Sequence, residues 1–230
     1  MYENVFNRVE QKYILSEQDR VKLFNKINKH LRKDIYYDSL ISNIYFDGNN
    51  NESIINSLEK PLYKDKVRLR SYGIVKKNSK VFFEIKNKYK GVVGKRRIMI
   101  TLKDYYDYLD GKSNIDNQIM KEIDYLIKHY KLKPAIMIAY HRFSYVGLED
   151  NNLRITFDND LTSRRNDLRL ENGIHGEKYF KNNETIMEIK TLGGYPLWLS
   201  KALSELKIFP NSFSKYGSIY SKEVMEGVYA

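Results

Sequence analysis

Apolar and polar positions alternate with period two in six separated stretches, and each alternation predicts a β-strand. In V-R-L-R-S-Y-G (67–73) Arg68, Arg70 and Tyr72 share one face, with Val67 and Leu69 on the other. In V-F-F-E-I-K-N-K (81–88) Glu84, Lys86 and Lys88 lie opposite Phe83 and Ile85. Glu10 and Lys12 lie opposite Val9 and Tyr13 in 8–14, and Tyr140 and Arg142 alternate in 136–143. Arg154 and Asp158 oppose Ile155 and Phe157 in 153–158, as Glu188 and Lys190 oppose Met187 and Ile189 in 186–190. Further strands are predicted over 42–47 and 95–101, and E-D-N-N (149–152) is a hairpin turn.

Between the strands the period lengthens to that of a helix. Ser16, with Asp19 three residues on, marks a helix N-terminus, and Val21, Phe24, Ile27 and Leu31 form its stripe. Thr101 with Asp104 opens a helix that Gly111 stops. Residues 116–130 form another, with Ile119, Ile123, Leu126 and Ile127 in its stripe. Pro196 starts a helix carrying Trp198 as a core residue, and a last helix-like segment follows F-S-K-Y-G (213–217). A loop or short helix is expected up to Pro61, a turn-rich link over 88–94, and a polar loop with room for a short strand over 163–185. The pattern predicts one α+β domain over 1–230, its many short strands mostly antiparallel.

Charge changes this picture. Across the six stretches the outward faces carry Lys12, Arg68, Arg70, Lys86, Lys88, Arg142, Arg154 and Lys190 against only Glu10, Glu84, Asp158 and Glu188. If the strands share a sheet, it presents a wall of positive charge that faces water or a polyanion, because unpaired buried ions cost several kcal/mol each. The net charge of +11 points the same way, to nucleic acid, phosphorylated molecules, polyphosphate or an anionic membrane. No RRM, KH or zinc pattern supports nucleic acid. Zero cysteines exclude disulfides and thiolate metal sites and fit a reducing, cytoplasmic setting. No signal core stands at residues 1–8, and no apolar run approaches 18 residues. G-V-V-G (91–94) is a turn rather than a phosphate loop, and the four histidines have no ligand spacing. Two geometries remain open on these grounds: an open sheet with a solvated charged face, or an antiparallel β-barrel with a charged lumen and helices packed outside.

The order of motifs adds a resemblance. E-Q-K-Y (10–13), S-N-I-Y-F-D (42–47), R-L-R (68–70), E-I-K (84–86), G-K-R-R (94–97), Y-H-R-F (140–143), R-I-T-F-D (154–158), M-E-I-K (187–190) and S-K-Y (214–216) together resemble the VTC domain. That is the polyphosphate polymerase domain of the vacuolar transporter chaperone complex, one of the triphosphate tunnel metalloenzymes alongside the CYTH-type phosphatases. The resemblance implies an antiparallel barrel forming a tunnel for a triphosphate or polyphosphate chain. It implies that Lys12, Arg68, Arg70, Lys86, Arg142, Arg154 and Lys190 line the tunnel as catalytic cations. Lys88, Tyr45, Ser214 and Lys215 would add phosphate contacts, as would one or two of Lys95, Arg96 and Arg97. Arg164 or Arg165 matches a further family arginine, with Arg165 taken as phosphate-binding. Glu188 would be the metal-binding carboxylate for Mn2+ or Mg2+, with Glu10 and Glu84 as companions, while Asp158 orients an arginine.

CYTH phosphatases begin with E-x-E-x-K, where this chain reads Arg8, Glu10, Lys12, and the missing carboxylate favours the polymerase branch. The implied reaction moves the ATP γ-phosphate onto inorganic polyphosphate, with a membrane-protein partner as in family relatives. A triphosphatase or nucleotide hydrolase and a non-catalytic polyphosphate-binding domain are the alternatives.

Overall fold

The computed structural model describes residues 8–90 and 92–229. The stretch 1–7 of the proposed signal-free start, the side chain of Arg8 and Gly91 of G-V-V-G lie outside the described residues. The strands are β1 (Arg8–Leu15), β2 (Leu31–Asp47), β3 (Tyr63–Tyr72), β4 (Lys80–Tyr89), β5 (Val92–Thr101), β6 (Lys133–Gly147), β7 (Arg154–Arg164), β8 (Glu177–Lys178) and β9 (Thr185–Leu192). The helices are α1 (Glu17–Ile27), α2 (Glu52–Leu58), α3 (Leu102–Leu109), α4 (Gln118–His129), α5 (Leu197–Glu205) and α6 (Lys215–Met225). The ladders follow an open path, β1-β9-β7-β6-β2-β3-β4-β5, with β8 beside β7. The β1–β9, β9–β7, β2–β3, β3–β4 and β4–β5 pairs are antiparallel. The architecture is a sheet-rich antiparallel α+β fold. The chain divides into two compact units, and β2, β6, β7 and β8 contribute to both.

The first unit holds residues 8–39, 140–161 and 178–213. Its core joins Tyr13, Ile155, Phe157, Met187 and Ile189 of the strands to Leu23 and Ile27 of α1 and Leu199 and Leu203 of α5. Ser16 caps α1, its hydroxyl accepting from the Asp19 N–H at 3.1 Å. The α1 stripe differs from expectation. Leu23 is buried and Val21 exposed, because Leu23 and Ile27 stand one turn apart and Leu31 already belongs to β2.

The second unit holds residues 40–139, 162–177 and 214–229. Val67, Leu69, Phe83 and Ile85 of β3 and β4 pack with Leu102 and Tyr105 of α3 and Met120 and Ile123 of α4. Thr101 and Asp104 form a reciprocal capping box at 3.0 and 3.1 Å. Asp47, fully buried at the end of β2, accepts from the N–H groups of Gly48, Ser53 and Ile54 and from the Tyr216 hydroxyl at 2.8 Å. It thereby ties α2 and α6 to the strand.

Two readings are corrected. β2 begins eleven residues before the predicted 42–47 strand, at Leu31, in a mostly exposed stretch with no apolar alternation to reveal it. The 88–94 link is a tight β4–β5 hairpin, so Val92–Gly94 is strand rather than turn. The loop with a short strand expected over 163–185 is present, β8 being that strand, and Arg164 organises it, its guanidinium donating to the carbonyls of Asp167, Arg169, Gly173 and His175 at 2.8–3.1 Å.

Candidate functional site

The second unit carries its chemistry on the face of β3–β5 opposite its core. Antiparallel register places Arg68 directly between Tyr45 and Glu84, and Arg97 beyond Glu84. The next row is Lys66, Lys86 and Lys95, and the row after it opposes Lys64 and Lys88. Like charges directly opposite on a sheet repel. Counting from Lys64 to Arg70, this face of the three strands presents Lys64, Lys66, Arg68, Arg70, Lys86, Lys88, Lys95 and Arg97 against one carboxylate, Glu84.

Burial and, after it, neighbouring cations act on the lysines of this face. Burial lowers the Lys64 pKa, with Lys88 and Lys60 adding to it. Burial also lowers that of Lys95, against the pull of Glu84 and with Arg97 and Arg70 reinforcing the shift. Glu84 is fully buried and receives Arg68 Nε at 2.8 Å. Burial alone would raise its pKa, but Arg68 and Arg70 hold it below the ordinary value. Tyr45 receives Arg68 Nη1 at 3.2 Å. Its burial opposes ionisation, yet Arg68, Arg70 and Lys66 outweigh it and bring the phenol down to about 7. Arg70 Nε is held at 2.8 Å by Asn43, whose amide donates to the Ile138 carbonyl.

Strand alternation divides the basic triplet. Lys95 and Arg97 share the charged face, whereas Arg96 points to the opposite side and pairs with Glu122 of α4 at 2.6 Å. Arg96 is therefore removed from the phosphate-facing set. Arg165 is engaged by Glu223 of α6 at 2.6 Å and lies near the rings of Tyr216 and Tyr229. Ser214 caps α6 at the Gly217 N–H, and Lys215 opens that helix.

The first unit carries a different arrangement. Glu10 faces Lys190, and Lys12 faces Glu188. Arg154 and Thr156 continue those rows on β7. Arg142 grips the buried Asp158 with two bonds of 2.6 and 2.7 Å and approaches Glu188 at 3.5 Å. Asp158 thus orients an arginine. Burial works against the Arg142 charge, but Tyr140, Asp158 and Glu188 raise its pKa. Lys190 Nζ lies 2.8 Å from Glu188 and 3.5 Å from Glu10. Lys12 Nζ donates to the Phe213 carbonyl at 3.0 Å, and Arg154 pairs with Asp34.

The family model of the VTC domain matches residues 7–223. The chain belongs to the VTC domain family. Subunit 4 of the vacuolar transporter chaperone complex of Schizosaccharomyces pombe is 26% identical over 185 residues, 70% of this chain and 25% of that protein. The chain therefore spans a quarter of that relative's length. A candidate adenylate cyclase from Bacillus halodurans shares the fold, with a TM-score of 0.55 at 12% identity, over 90% of this chain and 93% of that one.

Within this VTC domain the carboxylates expected to hold a metal differ in setting. Glu10 and Glu188 meet at one lysine, while Glu84 is sealed under Arg68. Among the described residues no three His, Asp or Glu side chains converge. The Glu10–Glu188 pair suits a hard divalent ion that takes one or two carboxylates and completes its shell with water and phosphate, as Mg2+ does. Lys66, Asn43 and Asp34 escaped the sequence reading. The alternation of β3 already placed Lys66 with Arg68, and Asn43 lies in the predicted 42–47 strand. Asp34 lies in the half of β2 that carries no pattern. Among the described residues no helix is long and apolar enough to cross a membrane.

Proposed function

We propose that this VTC domain is a cytoplasmic polyphosphate polymerase that transfers the γ-phosphate of ATP to the end of a polyphosphate chain. The observation that carries this reading is the row Lys66–Lys86–Lys95 beside Arg68 and Arg70. Like charges set directly opposite one another repel, and a polyanion lying along the row would relieve that repulsion. The family match supports the same reading.

In this reading the terminal oxygen of the chain attacks the γ-phosphorus, the bond to the bridging β–γ oxygen breaks, and ADP leaves with the electron pair. No protein nucleophile is needed, because phosphoryl transfer depends mainly on positioning and on neutralising oxygen charge. Arg68, Arg70, Arg97, Lys66, Lys86 and Lys95 hold successive phosphates, arginine as a planar fork and lysine as a point charge. Arg142, Arg154, Lys12 and Lys190 supply cations beside Glu188 and Glu10, and Lys215 and Ser214 add contacts at the start of α6. Glu188 and Glu10 would hold Mg2+ or Mn2+, which supplies charge neutralisation at the phosphates when bound. Each cationic face is, in this proposal, a phosphate-binding wall of the kind the triphosphate tunnel fold uses, and a membrane-protein partner completes the assembly.

The test is incubation of the protein with ATP and Mg2+ or Mn2+, with products separated on a polyphosphate gel beside Glu188→Ala. A ladder of growing chains in wild type and none in the variant supports the proposal. Phosphate release without a ladder replaces it with a hydrolase. Absence of turnover with polyphosphate still bound by both proteins replaces it with a binding domain.

A further inference from the structure

The β3–β4–β5 sheet outruns its own core. The Leu69/Phe83 and Val67/Ile85 rows are buried, and the next row outward is the polar pair Asp65/Asn87. One row further the same face turns apolar again, with Tyr63 opposite Tyr89 and Tyr89 opposite Val92. Val92 is 65% exposed there, and Leu62, beside Tyr63, is 72% exposed. Single exposed apolar side chains are ordinary, but a contiguous cluster at one tip calls for a partner.

The tip is well anchored. Lys90 N–H donates to the Leu62 carbonyl at 2.9 Å, and the Lys90 ammonium lies 5.4 Å from the Tyr89 ring centre. Lys60 and Lys90 are exposed and flank the apolar residues in the chain, and Lys64 and Lys88 pair on the opposite face of the same strands. The carboxylates adjacent in sequence are Glu59 and Asp65, and Asp65 accepts the Tyr63 hydroxyl at 2.9 Å.

We propose that this tip, where Leu62, Tyr63, Tyr89 and Val92 stand exposed among lysines, docks on the surface of an anionic lipid bilayer. Aromatic and aliphatic side chains enter the headgroup boundary while the lysines meet the anionic headgroups. A polyphosphate chain satisfies the lysines but offers nothing to the apolar row. Strand addition by a second copy is disfavoured, because β5 carries Lys95, Arg96 and Arg97 in succession along its length. The inference is independent of the proposed reaction.

The experiment is vesicle flotation of the full chain with phosphatidylcholine alone and with added phosphatidylserine. Wild type is compared with the double variants Leu62→Ser/Val92→Ser and Lys60→Ala/Lys90→Ala, whose melting curves should match wild type because the four residues are exposed. Wild type is expected on the phosphatidylserine vesicles only, and each pair is expected to weaken binding about tenfold. The serine pair is decisive, since it leaves the net charge untouched. Undiminished binding by it would reduce the effect to adsorption of a basic protein and overturn the proposal. Binding to neither vesicle, equal binding to both, or a wild-type dimer that the serine pair dissolves would also overturn it.

Discussion

The charged faces of the two units are built from the same residue types at the same strand spacing, yet they solve opposite electrostatic problems. In the first unit Lys12, Arg142, Arg154 and Lys190 are matched by Glu10, Asp34, Asp158 and Glu188. Opposite charges face each other at Glu10–Lys190 and Lys12–Glu188, and Arg154, which stands beside Lys190, takes Asp34 of β2, so each of the four cations has a carboxylate partner. On β3–β5 of the second unit a single carboxylate stands among eight cations, with lysine directly opposite lysine. The first face is a balanced network whose members depend on one another. The second is a field of like charges held in place by the core behind it, with lysine set opposite lysine by strand register. The number of cations says little about either; the placement of carboxylates separates a balanced network from a face of like charges.

The comparison can be broken most directly at Arg142. Replacing it with alanine removes the two charge-assisted bonds to Asp158, a carboxylate with no exposure. We expect a loss of about 3–5 kcal/mol in denaturant melts, with Arg142→Lys recovering part of it. A loss under 1 kcal/mol would show that the network is not interdependent.

On the other face, Tyr45 offers a pH test. Its folded pKa of about 7 lies below the unfolded value of 10, so the folded state releases its proton first. Its contribution to stability is complete above the unfolded value and is lost as pH falls through about 7. The phenolate also offsets the cations that would hold phosphate. Polyphosphate affinity should therefore fall several-fold as pH rises through about 7, with a tyrosinate absorbance change at the same midpoint. Tyr45→Phe should flatten both; a phenylalanine variant with the wild-type pH profile would assign the effect elsewhere.

Smaller effects sharpen the contrast. Lys95→Met relieves the opposed lysine row and should leave the free protein about 0.3–1 kcal/mol more stable while weakening polyphosphate binding. Lys190→Met, which takes the shared cation from Glu188 and Glu10, should move stability the other way. Equal signs in the two melts would erase the distinction between the faces. Arg96→Ala removes an exposed ion pair with Glu122 and should cost no more than about 0.5 kcal/mol. Its polyphosphate affinity should equal that of wild type in a titration where Lys95→Met is weaker.

Much of this was legible in the chain because local physics is recorded locally. Ser16 and Thr101 marked helix starts that the hydrogen bonds confirm. Period-two alternation put Arg68 with Arg70, and Glu84 with Lys86, on the faces they occupy. It could also have excluded Arg96 from the charged face, since its neighbours Lys95 and Arg97 share the opposite parity. The exposed half of β2 left no such record, because a strand whose side chains mostly meet water is under little pressure to alternate. Arg164 was illegible for another reason: its partners are carbonyl groups, which every residue carries.

The sequence by itself determined the strand faces, the helix caps, the excess of cations and the membership in the VTC family, all of which depend on neighbours in the chain or on motif order. Tertiary structure alone decided which charges meet. Strand register across long separations set Lys66 against Lys86 and Lys95, brought Lys190 between two glutamates, and sent Glu84 under Arg68. A shift of one residue in any of those pairings would turn the same side chains to the other face, and no local pattern encodes which distant strand will lie alongside.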